Sequence, residues 1–175
     1  MVRKNDAIEI INYAEDNGID VWIDGGWGVD ALLEVETRPH NDIDLFVEEV
    51  NDRRFAEILK RNGFVEVTES YTSACHSVWK DSNDRIIDLH TFRIKTSYVI
   101  IYEGEDYPFS VFSGTGKIGN KTVKCIDAEN QVLFHLGYEF DEDDIHDVKL
   151  LCQKFNIPVP DEYASKVQSN SEISK

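Results

Sequence analysis

The order of hydrophobic patterns predicts a mixed α/β (α+β) fold: a twisted sheet flanked by helices, with a small helical part at its C-terminal end. Helical and strand-like periodicities alternate from residue 4 to residue 63, strand-like segments follow one another to residue 126, and two helical patterns come last. A chain of 175 residues with 41% hydrophobic content has the material for one such domain with a real core. The expected division is a core over residues 1–125, a helical part of the same domain over 126–166, and a polar, disordered tail over 167–175.

Residues 4–17 read as an amphipathic helix with Ile8, Ile11 and Tyr13 on its buried side and Gly18 as its stop. "DVWID", residues 20–24, is a short strand, and Gly25 and Gly26 turn it into the short helix "WGVDALLE". "DIDLFV", 42–47, is a second strand. Asn51 is the expected N-cap of "DRRFAEILKRN", with Gly63 closing that helix. "FVEVTES", "CHSVWK" and "RIIDLHTF" are strand-like, and the turn "DSNDR" makes a hairpin of the last two. "YVIIY" and "KTVKCI" are further strands around a glycine-rich loop, "SGTGKIGNK". Asp127 is placed to cap "AENQVLFHLGY"; a last helix begins near "DEDDIHDVKLLCQKF" and ends at Pro158 and Pro160.

Thirty-four acidic against 18 basic residues give a formal charge of −16. Phosphate contacts need Lys and Arg, so nucleic acid is not an expected partner. Such acidity suits cationic small molecules, metal ions or basic partners, or serves only to keep the chain soluble. Cys75, Cys125 and Cys152 are widely spaced and form no C-x-x-C pair, against a zinc ribbon or a disulfide framework. The first residues alternate charge with apolar side chains rather than forming a secretory signal, and no apolar run reaches membrane-spanning length. The expectation is a soluble, cytoplasmic protein with no membrane contact.

Two strands carry an unusual pattern. In "DIDLF", Asp42 and Asp44 are two residues apart and share one face, while Ile43 and Leu45 take the other. Adjacent carboxylates repel, so either a hard cation such as Mg²⁺ lies between them or the pair is a solvated strand end. In "RIIDLHTF", Asp88 and His90 repeat the pattern against Ile87 and Leu89. If the strands are neighbours, Asp88 joins Asp42 and Asp44 in a cluster of three acids. His90 is left with three readings: contact with substrate, orientation of Asp88, or space filling. "DGGWG" is neither a P-loop nor G-x-G-x-x-G. Its glycines either let backbone amides approach an anion at a helix start, or make a tight turn with Trp27 in the core.

With these residues assembled, "GGWGVDALLEVETRPHNDIDL" resembles the signature of the DNA polymerase β-type nucleotidyltransferases, and within them the small enzymes that modify lincosamides and aminoglycosides. The shared pattern is Gly25, Gly26, Trp27, Arg38, His40, Asp42 and Asp44, followed by a lone Asp88 on a later strand. "IIDLHTF" and "VLFHLGYEFDEDDIHDVKLL" are most similar to the lincosamide branch, and the likeness spans about residues 20–152.

The resemblance implies a polymerase β-type fold and transfer of a nucleoside monophosphate from a nucleoside triphosphate, ATP by expectation, to a hydroxyl of a lincosamide, with pyrophosphate released. By position Gly25, Gly26 and Trp27 would hold the triphosphate, Asp42 and Asp44 would bind Mg²⁺, and Asp88 would act as metal ligand or general base. Two ions roughly 3.5–4 Å apart can clamp the attacking and leaving oxygens. Arg38 and Lys149 are candidate phosphate contacts or else exposed surface charges. The run "EFDEDDIHD", including Glu139 and Asp141, either favours a helix start or forms an acidic wall for a cationic antibiotic, and His90, Glu139 and Asp141 are the candidate substrate contacts. The same chemistry on an aminoglycoside, on a protein or RNA partner as in toxin–antitoxin systems, or a catalytically dead binding module are the alternatives. A homodimer that completes the pocket is a further expectation.

Overall fold

The computed structural model describes residues 1–164 and 166; the expected disordered tail, 167–175, lies outside the described residues. In chain order the elements are α1 (Lys4–Glu15), β1 (Val21–Asp24), α2 (Gly25–Leu33), β2 (Asp42–Glu48), α3 (Glu49–Arg61), β3 (Val65–Val67), β4 (His76–Lys80), β5 (Ile86–Thr96), β6 (Val99–Tyr102) and β7 (Glu105–Pro108). A 3₁₀ turn at Phe109–Ser113 leads to β8 (Gly114–Ile118), β9 (Lys121–Cys125), α4 (Ala128–Phe134) and α5 (Glu142–Phe155).

The main sheet runs β3-β4-β5-β2-β1-β9-β8, and β6 and β7 extend from the far end of β5. It is mixed: β2 pairs with β5 in parallel and with β1 antiparallel, while β1 pairs with β9 in parallel. Strand alternation divides its two faces. Ile43, Leu45, Val47, Ile87 and Leu89 are fully buried and join one core cluster with Ala7, Ile10, Ile11 and Ala14 of α1 and Phe55, Ile58 and Leu59 of α3. The opposite face bears the polar members of the same strands and a second, aromatic cluster around Phe46, Phe92 and Phe112.

Several local expectations shift. The buried stripe of α1 is Ala7, Ile10, Ile11 and Ala14, with Ile8 and Tyr13 partly buried at its edge. The third helix starts three residues early: Glu48 takes the N-cap position, not Asn51, so the strand passes directly into the helix. Helix α4 stops at Phe134, and α5 ends at Asn156 in the left-handed region rather than at Pro158. The segment "SGTGKIGNK" is no loop. Its first part is β8, paired with β9. Gly116 explains the composition, since a Cβ there would run into the Ala31 carbonyl of α2, so helix and strand approach as closely as they do because a side chain is absent.

Candidate active site

Cross-strand register assembles the site in two rows on the polar face. In the first, Asp24 of β1 lies opposite Asp44 of β2, Asp44 opposite Asp88 of β5, and Asp88 opposite Val78 of β4. In the second, Trp22, Phe46, His90 and His76 follow one another across the same four strands. Asp42 stands one step further along β2 on the same face. Ile43 and Leu45, pinned in the core behind, fix which way the acids point.

A cleft of about 780 Å³ opens over part of these rows: Asp24, Asp44, Phe46 and His90 line it, whereas Asp88, His76, Val78 and Trp22 do not. Asp24, Asp42, Asp44, Glu103, Asp144 and Glu162 line it, as do Phe46, Tyr102, Tyr107, Phe134 and His90; Arg38 is its one lysine or arginine among the described residues. Asp44 sits deep but opens into the cleft, its side chain 26% exposed. Burial first, and the neighbouring acids Asp44 and Asp88 second, push the Asp42 carboxyl up to about 7. Burial and then Asp88 do the same to Asp44, up to about 7. Asp24 is raised to about 6 by burial and then by Asp44, and its Oδ1 is buried without a partner. Charge on this face is therefore under-compensated by the protein itself.

A consequence follows for stability. These carboxyls ordinarily titrate near 3.8, so between that pH and about 7 the folded state holds protons that the unfolded chain releases. Stability contributed this way is present at low pH and lost as pH rises through the folded values. Without divalent metal, the melting temperature is expected to fall between about pH 4 and pH 7, and a scan across that range checks it, with a smaller slope in Asp44→Asn.

The glycine turn is built against the acids. Gly25 has φ +57°, and a Cβ on it would fall on the Asp44 carboxylate. A Cβ on Gly26 would lie 2.5 Å from His40 Nδ1 and 2.6 Å from an Arg38 guanidinium nitrogen. Asp24 precedes α2 without a side-chain cap bond, and Gly25 and Gly26 at the start of that helix line the cleft. Trp27 does not join them: it is 2% exposed, its indole N–H donates to the Val2 carbonyl at 3.3 Å, and its ring packs on His40. The reading of "GGWG" with Trp27 in the core is the one the structure adopts for that side chain.

Behind the turn, His40 Nε2 lies 2.6 Å from Asp30 Oδ2, and Asp30 also accepts from the Thr37 backbone N–H and hydroxyl. This buried network holds the segment between α2 and β2 against Gly26. Arg38 is tied down in turn: its guanidinium makes a two-pronged contact to Asp147 at 3.1 and 2.5 Å and a further one to Asp143 at 3.2 Å.

The acidic run divides by role. Asp141 caps α5, accepting from the Asp143 and Asp144 amides, and neither it nor Glu139 lines the cleft. Asp144 does, accepting a hydrogen bond from the Tyr138 hydroxyl at 2.8 Å. Lys149 is half-buried on α5, outside the cleft lining; Asp147 is the member of "HDVKLL" that reaches a site residue. His90 lines the cleft between Phe46 and His76, its Nδ1 2.9 Å from the Tyr102 hydroxyl and its Nε2 3.5 Å from Asp44. Burial, then the neighbouring His76, lower its pKa to about 4, so it is neutral near pH 7. Asp24, Asp30 and His76 are the residues the sequence patterns passed over.

A glycine turn opening a helix, beside a row of strand-borne carboxylates on a mixed sheet, defines a nucleotidyltransferase of the DNA polymerase β type. A family model described as aminoglycoside-2''-adenylyltransferase matches residues 6–151, and the chain belongs to that family. A lincosamide resistance protein of Staphylococcus haemolyticus is 30% identical over 155 residues, 86% of this chain and 94% of its own. The crystal structure of the lincosamide antibiotic adenylyltransferase LnuA, lincomycin-bound, superposes with a TM-score of 0.75 at 27% identity, covering 90% of this chain and 99% of that one. The structure of ANT(2'')-Ia in complex with adenylyl-2''-tobramycin gives a TM-score of 0.75 at 21% identity over 89% and 90% of the two chains, a likeness of fold.

Proposed function

We propose that the protein transfers a nucleoside monophosphate from ATP to a hydroxyl of a lincosamide, releasing pyrophosphate, in a reaction that requires Mg²⁺. The observation that carries it is the row Asp24–Asp44–Asp88 beside the Gly25–Gly26 turn, in a chain similar along nearly its whole length to a lincosamide resistance protein.

The fit to a divalent ion rests on the donor set. Among the described residues no three His, Cys, Asp or Glu side chains converge on one ion-sized point. Two carboxylates on one strand face, both pushed upward in pKa, suit Mg²⁺, which commonly takes one or two carboxylates and completes its shell with phosphate oxygens and water. Asp42 and Asp44 would hold it, with Asp88, opposite Asp44, as the base or a ligand to a second ion. Bound there, the ion would neutralise charge developing on the α-phosphate oxygens.

The chain's own residues do the rest. Amides at the start of α2, where Gly25 and Gly26 line the cleft, would approach the phosphates, and the absent side chains leave room for Asp44, His40 and Arg38 around that turn. Arg38, held by Asp147, offers positive charge at the cleft wall. Asp88 takes the proton of the attacking hydroxyl or holds metal. Tyr102, Tyr107 and Phe134 form an apolar wall, and Glu103, Asp144 and Glu162 set negative charge around an acceptor that carries an amine.

Mass spectrometry of a matrix of acceptors and nucleotides tests the reading. Lincomycin or clindamycin with ATP and Mg²⁺ is expected to gain one nucleoside monophosphate, and chelation with EDTA to abolish the gain. A gain on kanamycin or gentamicin alone would assign the aminoglycoside acceptor instead. Label found only on a macromolecule would assign a protein or RNA acceptor, and no transfer to any acceptor would refute the reading.

A further inference from the structure

We propose that His76 is a positioning residue for Asp88, holding one carboxylate oxygen so that the other is presented in a fixed direction. The inference rests on the nucleotidyl-transfer reading of Asp88.

Val78 lies directly opposite Asp88, which makes His76 its diagonal neighbour across the β4–β5 pair. A diagonal pair is bridged only by a side chain of sufficient reach. His76 supplies it: Nε2 lies 2.8 Å from Asp88 Oδ1. A carboxylate accepts, so this nitrogen carries the hydrogen. Among the described residues this is the one side-chain hydrogen bond to Asp88, and Oδ2 is left without a protein donor.

The imidazole is itself held on two sides. Its ring packs on His90 at 4.2 Å between centroids and on Tyr71 at 5.3 Å, and its side chain is 14% exposed. The Ser73 amide donates to the His76 carbonyl at 2.9 Å, anchoring the start of β4. A ring so confined cannot swing away when a ligand arrives, and an aspartate gripped at Oδ1 has one orientation rather than several. Groups that orient a reacting or ligating side chain typically cost 10–100-fold in activity or metal affinity when removed. Asp44 has no comparable grip: its nearest histidine nitrogen, on His90, stands at 3.5 Å.

The test compares His76→Ala and His76→Gln in the full chain, the glutamine keeping an amide N–H donor at similar reach. Nucleotide transfer to lincomycin is followed at saturating and limiting substrate, and Mn²⁺ affinity is followed by electron paramagnetic resonance in the presence of α,β-methylene-ATP. In His76→Ala, kcat is expected to fall roughly 10–100-fold with KM little changed, and glutamine to restore most of the loss. If Asp88 is a metal ligand, Mn²⁺ affinity falls with kcat; if it is the base, kcat falls alone. Unchanged kcat and Mn²⁺ affinity in a folded His76→Ala protein, or a glutamine variant as impaired as the alanine one, would overturn the proposal. Should the wild-type protein transfer nothing to any acceptor, the nucleotidyl-transfer reading fails; a Mn²⁺ affinity that falls in His76→Ala would then still support His76 acting through Asp88 as a metal ligand, and an unchanged one would overturn the proposal with it.

Discussion

Asp44→Asn is expected to lower nucleotide transfer on the order of 10³-fold or more without lowering stability. Asp44 is the centre of the acid row, with Asp24 and Asp88 opposite it on either side and Asp42 two residues before it. It is the carboxylate that stands between the others, so its loss removes the one best placed to share a cation with them. Most buried polar substitutions destabilise; this one should not, because Asp44 is itself a cause of the raised Asp24 and Asp42 values. Removing one of several repelling carboxylates relieves a cost the fold otherwise bears. Calorimetry or thermal denaturation with and without Mg²⁺ and ATP reads both effects. The metal-free melting temperature stays level or rises, and the increase on adding Mg²⁺ and nucleotide shrinks. A lowered melting temperature with transfer intact would show that Asp44 is structural.

Asp147→Ala has the largest expected effect on stability. Asp147 is fully buried on α5, and Arg38, 18% exposed at its side chain, lies against both of its oxygens. Deleting one partner of a buried ion pair strands the other, at a cost of about 3–5 kcal/mol. Asp143 still reaches Arg38, so the loss belongs at the lower end, about 3 kcal/mol, or ~6–12 °C in melting temperature for a chain of this size. Asp143 is 58% exposed, and its replacement by Ala is expected to cost under about 1 kcal/mol. Transfer should fall in Asp147→Ala as well, because Arg38 lines the cleft and leaves its place. Equal melting temperatures for the two variants would mean that Arg38 does not depend on Asp147.

What was legible in the sequence followed from local geometry. The two-residue period of a strand suffices to place Asp42 with Asp44 and Asp88 with His90, each backed by apolar residues. That β5 lies beside β2 is a matter of tertiary pairing, and with it came the exact opposition of Asp44 and Asp88, which no local pattern contains. Asp24 was missed because a polar residue at the end of a four-residue strand reads as the first residue of its turn. Asp147 was hidden among acids that look alike in a helix, although one caps the helix, one lines the cleft and two grip Arg38. β8 read as a loop because its glycines record the closeness of α2, a packing fact without a strand-like signature. β7, "EDYP", has neither alternation nor apolar character and is held by β6 on its one paired edge.

The most direct measurement is the mass of lincomycin after incubation with ATP and Mg²⁺, for the wild-type protein and Asp44→Asn side by side. A product heavier by one nucleoside monophosphate, formed by the wild-type protein, absent after chelation of the metal and nearly absent with Asp44→Asn, is the expected result. Unmodified lincomycin with the wild-type protein, or the same yield from Asp44→Asn, would contradict transfer to a lincosamide at this row of carboxylates.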